Sequence, residues 1–327
     1  MATRKVRKVD QLYQDRELYS SPDMFSPPAE RLPHVIRFEL TTGCNWGRCS
    51  YCGWFDGIEY RVKTADEYRE HVDQVWKRIG KRTRLAEDLG RIFIGGGNAL
   101  AVEITQLSNA IMYTGEQFME FTGDPPGRIA IYGRTDSIRK KGANGLGRLF
   151  NEDGNFGLDL IYWGVESGST AVLRYVQKGC TQDEILRAAE TLNNTSVGAS
   201  VMIMPGLGGI KYNDRHVRDT ARVLGEIRPK FLTFMGVNPS PKSAYARQLA
   251  TEEKEGKNRP LTNIELGEQM IQIINEMPTF DTKVGCFDCD VDQVGHNPLT
   301  FDAVDISHRL DKAELVEDLK EKLECIE

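Results

Sequence analysis

Short apolar runs of strand length alternate along this chain with longer stretches in which apolar positions recur every three to four residues. The runs are Val35 to Leu40, Arg91 to Ile94, Arg128 to Tyr132, Leu158 to Trp163, Gly198 to Met204 and Phe231 to Gly236. Helix-period stretches between them carry start signals: Thr64, Ser169 or Thr170, Thr181, and Asn213 or Asp214. Thr181 with Glu184 three residues on makes a capping box, and Gly179 closes the preceding helix. Connections too long for hairpins imply parallel strands with right-handed crossovers. The pattern predicts an α/β fold, a (β/α)6 open barrel or a doubly wound sheet, with chemistry at the carboxyl ends of the strands.

Three segments follow. Residues 1-33 are polar and read as an N-terminal arm, 34-240 as the barrel, and 241-327 as a mostly helical C-terminal cap, irregular from Met277 to Asp305 and helical from Ala313 to Cys325. Composition supports a globular enzyme: 327 residues, 40% apolar and 28% charged. The net charge of -6 has the wrong sign for holding nucleic acid by phosphate neutralisation. The chain has no apolar run near the ~18 residues that span a bilayer and no apolar core behind the basic N-terminus, so a cytoplasmic location and no membrane partner are expected.

Seven cysteines argue against a disulfide framework and for metal or redox chemistry. Cys44, Cys49 and Cys52 form a C-x4-C-x2-C array in FELTTGCNWGRCSYCGWF, directly after the first strand. Three thiolates without a nearby fourth ligand suit a [4Fe-4S] cluster with one open iron; zinc completed by a distant ligand is the alternative. The array resembles the radical SAM superfamily signature, C-x3-C-x-aromatic-C, with Tyr51 in the aromatic position and the first gap longer by one residue. Four further segments carry the resemblance: FIGGGNAL, YGRTDSI, IYWGVESGSTAVLRYVQKGCT and SVMIMPGLGG. The third is similar to the branch with Elp3-like, methylthiotransferase and coproporphyrinogen-dehydrogenase-like enzymes.

The resemblance implies a partial (β/α)6 barrel whose cluster reductively cleaves S-adenosylmethionine to a 5'-deoxyadenosyl radical that abstracts hydrogen from a substrate. It implies contacts from Gly95, Gly96 and Gly97 to the methionine amino group, and from Thr135 and Asp136, beside Arg134 and Ser137, to nucleoside or substrate. Glu166 and Ser167 would border the S-adenosylmethionine site, Arg174 would hold its carboxylate, and Met204 and Pro205, followed by Gly206, would meet its adenine. Trp46, Tyr51, Trp54 and Phe55 form a dry shell or simply pack. A ferredoxin or flavodoxin is the implied reductant, and a small-molecule or protein-bound substrate is favoured over tRNA or a purely electron-carrying role.

Cys286, Cys289 and Cys325 fit an auxiliary iron-sulfur cluster, which would allow sulfur insertion; structural zinc completed by His296 or His308, or free thiols, are the alternatives. Cys180 reads as a buried thiol, and His216 and Arg215 as surface residues.

Overall fold

The computed structural model describes residues 15–20, 27, 30, 34–80, 89–150, 156–237, 239–287 and 311–324. All six anticipated strands form: β1 (Val35–Glu39), β4 (Arg91–Gly95), β5 (Ile129–Gly133), β6 (Leu160–Glu166), β7 (Gly198–Ile203) and β8 (Phe231–Met235). A two-stranded ribbon, β2 (Thr41–Thr42) and β3 (Arg61–Val62), brackets the cysteine loop. Adjacent main strands pair in parallel in the order β1-β4-β5-β6-β7-β8, and most of their residues are buried. Burial on both faces is why they read as continuous apolar runs rather than alternating ones.

The segment read as irregular supplies a seventh strand. β9 (Lys283–Phe287) extends the sheet beside β8, with Phe231 opposite Lys283 and Met235 opposite Phe287. The strand–helix alternation therefore runs on into the predicted cap, through α7 (Ala244–Lys254) and α8 (Asn263–Glu276). KVGCF is short and carries a central glycine, so its strand character comes from pairing with β8 rather than from its own pattern. The terminal helix α9 (Lys312–Glu324) packs on α8.

Helices α1 (Ala65–Ile79), α2 (Ile104–Thr122), α3 (Thr135–Phe150), α4 (Thr170–Tyr175), α5 (Gln182–Asn193) and α6 (Asn213–Ile227) connect the strands. Thr64 and Thr181 complete capping boxes at α1 and α5, each satisfying two terminal amides. α4 is shorter than its pattern: it ends at Tyr175, so Gly179, with φ 79°, lies beyond its cap rather than at it.

The arm is anchored where it is described. Tyr19 is buried and its hydroxyl donates to the carbonyl of Arg37 at 2.9 Å, while Ser20 donates through Oγ to Glu39 at 2.7 Å. Glu30 is also buried, accepting from Tyr162 Oη at 2.6 Å and pairing with Arg128, which precedes β5. These contacts fasten β1, whose carboxyl end launches the cysteine loop.

Candidate active site

A cavity of about 170 Å³ opens at the carboxyl ends of the strands. Cys44, Cys49, Tyr51, Cys52, Trp54 and Phe55 line it from the cysteine loop, and Gly97 from the loop after β4. Tyr132, Gly133 and Arg134 arrive on β5 and the turn after it, Gly164 and Glu166 on β6, and Lys178 from beyond α4. Met202 on β7 with Met204 just after it, and Met235 on β8 with Val237 and Pro239 beyond it, close the other side.

Three half-buried free thiols thus share one cavity. Among the described residues no three His, Cys, Asp or Glu side chains converge on a single ion, as a mononuclear zinc site requires. The Cys52 thiol is pushed up to about 11, first by burial and then by its cysteine neighbours, against a backbone hydrogen bond from Trp54. The three soft sulfur donors that line one cavity are of the kind an iron-sulfur cluster takes as ligands.

The glycine loop packs directly on the cysteine loop. Gly97 donates its N–H to the carbonyl of Gly43 at 3.0 Å, and a Cβ at Gly97 would stand 2.4 Å from that oxygen and 2.9 Å from Cys44 Cα. Gly96, at φ 113°, is held as closely: a Cβ there would stand 2.0 Å from Thr41 Oγ1. Asn98, where proline is frequent in the resembling family, is buried and donates through Nδ2 to Asn45 Oδ1 at 3.0 Å and Ser137 Oγ at 2.8 Å. That one amide joins the cysteine loop, the glycine loop and α3.

Trp46 braces the opposite side of the loop. Its Nε1 donates to the carbonyl of Gln177 at 2.8 Å, its ring lies against Gly179, and the Arg134 guanidinium sits 5.3 Å from the ring centroid. Gly179 has to lack a side chain because a Cβ would fall 2.3 Å from the indole.

The cavity's charge lies on the β5–β6 side. Lys178 Nζ donates to Glu166 Oε1 at 2.8 Å, and both side chains are under 10% exposed, so little water screens the pair. Burial draws the Lys178 ammonium down, but Glu166 and then Cys49 outweigh it and hold Lys178 above its ordinary value. Arg134 donates to Asp136 Oδ1 at 3.1 Å and to the carbonyl of Lys178 at 3.0 Å. Tyr51 is held well above the usual phenol range by burial first and then by Glu166 and Cys49, so it stays neutral. Glu166 Oε2 is buried and makes no hydrogen bond within the described residues.

Of the residues anticipated from sequence, Cys44, Cys49, Cys52, Tyr51, Gly97, Glu166 and Met204 meet in this cavity. Gly95, Gly96, Thr135, Asp136, Ser167 and Pro205 do not line it: Thr135 accepts from Trp163 Nε1, Asp136 pairs with Arg134, and the Pro205 carbonyl accepts from Val237 N–H. Arg174 is exposed on α4 and does not line the cavity. A six-residue helix does not reveal from sequence which face turns inward. Lys178 was present in the KGCT motif without a role, and its value emerges only from the fold. Cys286 occupies the β9 position opposite Phe234; Cys289, Cys325, His296 and His308 lie outside the described residues, as does the whole question of a second metal.

The family described as the Radical SAM superfamily matches residues 38–224, from β1 to within α6. The chain belongs to the radical SAM superfamily. Membership brings with it the family's cofactors, a [4Fe-4S] cluster and S-adenosylmethionine. No curated protein matches the chain. Among solved structures it is similar to TsrM from Kitasatospora setae, a radical S-adenosylmethionine methyltransferase with cobalamin and a [4Fe-4S] cluster bound, at TM-score 0.53 and 12% identity over 88% of this chain and 61% of TsrM. It is similar to OxsB, a cobalamin-dependent S-adenosylmethionine radical enzyme, at TM-score 0.51 and 14% identity over 73% and 40%. HydG, a maturase of the [FeFe]-hydrogenase, matches at TM-score 0.50 and 12% identity over 90% and 56%. The chain spans less than two thirds of the length of each, and at these identities they share its fold. Among the described residues no helix is long and apolar enough to cross a membrane.

Proposed function

We propose that Cys44, Cys49 and Cys52 ligate the cluster and that S-adenosylmethionine extends from the β5–β6 side of the cavity to Met204, leaving the part lined by Met202, Met235, Val237 and Pro239 for substrate. The observation that carries this reading is the meeting of three free thiols, a buried carboxylate with an unused oxygen and two cations at one strand-end cavity. When bound, the cluster supplies the electron that cleaves the sulfonium and yields a radical able to abstract hydrogen from substrate. The chain's own part is to position and to exclude water.

The glycine loop offers backbone to the amino group, Glu166 an acceptor to the ribose hydroxyls, and Met204 and Pro205 an apolar face to adenine. Lys178 and Arg134 are the cations inside the cavity, so the carboxylate of S-adenosylmethionine is assigned to them in place of the exposed Arg174. Lys178→Met is expected to raise the KM for S-adenosylmethionine about tenfold or more, whereas Arg174→Ala leaves it nearly unchanged. The reverse ranking returns the role to Arg174.

Met202, Met235, Val237 and Pro239 give the remaining part of the cavity no charge, which favours an apolar reacting portion on a small-molecule or protein-bound substrate over a phosphate-rich one. An electron donor of the ferredoxin or flavodoxin class would serve as reductant, in the cytoplasm. Sulfur insertion would require the auxiliary cluster on Cys286, Cys289 and Cys325. Anaerobic reconstitution followed by dithionite and S-adenosylmethionine tests the central reading: about four irons per chain for one cluster, about eight for two, and formation of 5'-deoxyadenosine. Absence of that nucleoside from a fully loaded enzyme overturns it.

A further inference from the structure

The polypeptide turns sharply where β6 ends, and the turn is unusual. Glu166 sits at φ 63°, a left-handed conformation that glycine tolerates and glutamate does not favour. Strand pairing with β7 slips between Gly164 and Glu166, and the next amide, Ser167 N–H, folds back onto the carbonyl of Val165 at 2.8 Å. Such a conformation persists only where surrounding structure imposes it.

The surroundings that impose it lie on α6, fifty residues further along the chain. His216 is fully buried, and its Nδ1 is 2.7 Å from Ser167 Oγ, which also accepts the Ser169 N–H at 3.1 Å. One turn on, Thr220 Oγ1 accepts the Gly168 N–H at 2.9 Å, and Gly168 lies so close to α6 that a Cβ would stand 2.2 Å from the carbonyl of Asp219. On the sheet side, the carbonyl of Glu166 accepts the Met204 N–H at 2.9 Å. Burial pulls the His216 imidazole down to about 4, against the backbone of Met204 and the charge of Asp219, so the ring is neutral and can share one hydrogen bond with a hydroxyl without bringing charge into the core.

We propose that His216 is a positioning residue for the S-adenosylmethionine site: through Ser167 it locks the Glu166 turn and thereby sets the Glu166 side chain where it lines the cavity. The inference rests on the reading of Glu166 given above. His216 is not among the residues that line the cavity, and its role runs through the turn.

The test is equilibrium dialysis of S-adenosylmethionine against cluster-loaded wild type, Glu166→Ala, His216→Ala, His216→Asn, Ser167→Ala and the His216→Ala/Ser167→Ala double variant, with thermal melting of each apo-protein alongside. Asparagine places an amide atom near the position of Nδ1 and can keep the bond to Ser167. The proposal expects about tenfold weaker binding for His216→Ala and Ser167→Ala, recovery by His216→Asn, and a double variant no weaker than either single one, because two groups in one hydrogen bond are not additive. Weakened binding in Glu166→Ala with unchanged binding in His216→Ala overturns the inference alone. Unchanged binding in Glu166→Ala overturns the reading of Glu166 beneath it. A His216→Asn protein that melts like wild type yet binds as weakly as His216→Ala also overturns it. If His216→Ala fails to load, Ser167→Ala decides the matter on the same criterion.

Discussion

Cys49→Ala is expected to abolish formation of 5'-deoxyadenosine from S-adenosylmethionine and dithionite, and to leave the reconstituted protein with less than one cluster. The side chain is half-buried at the cavity edge, and the loop around it is held by backbone contacts that the substitution keeps, including Cys52 N–H to the Cys49 carbonyl at 3.1 Å. With Cys44, Cys49 and Cys52 as the proposed ligands, two remaining thiolates would not retain the cluster, and the expected loss would reflect ligation rather than folding. Cys180→Ala is the control: that thiol is buried away from the cavity lining, and its removal leaves iron content and cleavage intact. Iron and sulfide analysis with chromatographic detection of the nucleoside reads both variants. Cleavage that survives Cys49→Ala sinks the cluster assignment.

Gly97→Ala has the second largest effect, although it removes no ligand. The added methyl would meet the carbonyl of Gly43 at 2.4 Å and Cys44 Cα at 2.9 Å, which are backbone atoms that cannot swing aside. Either the glycine loop or the cysteine loop has to move, at a cost of about 1–3 kcal/mol as in other overpacked sites. Displacing Cys44 relative to Cys49 and Cys52 lowers cluster occupancy well below half and weakens S-adenosylmethionine binding in what remains. Gly147→Ala, on α3 with nothing within 4 Å of its Cβ position, separates this from a general effect of alanine. Equal iron content in the two variants would show that the contact between the loops does not shape the cluster site.

Both predictions begin from motifs that are contiguous in the sequence, and this is why they were visible there. Ligands that must be close in space are easiest to recognise when the chain keeps them within nine residues, as at Cys44 to Cys52. The six strands β1, β4, β5, β6, β7 and β8 were equally visible, because strands buried on both faces are rich in apolar residues. β9 escaped notice since an edge strand gains its order from the neighbour it pairs with. His216 looked like a surface residue among the charges of NDRHVRDTARVLGEI, yet it falls on the stripe with Thr220, Val223, Leu224 and Ile227 that packs inward. Helical spacing could have shown it; the polarity of histidine hid it.

Local order in the chain was thus enough to show the cysteine array and the strand–helix alternation of a parallel α/β fold, whereas the packing of the glycine loop on the cysteine loop joins residues distant in sequence and came from the tertiary structure. The cavity's charge pair, Glu166 with Lys178, the exclusion of Arg174 from it, and the hold of His216 on the Glu166 turn emerged from folding. They depend on which faces of three short elements turn inward, and that choice is made by packing energies summed over the whole sheet rather than by any one segment.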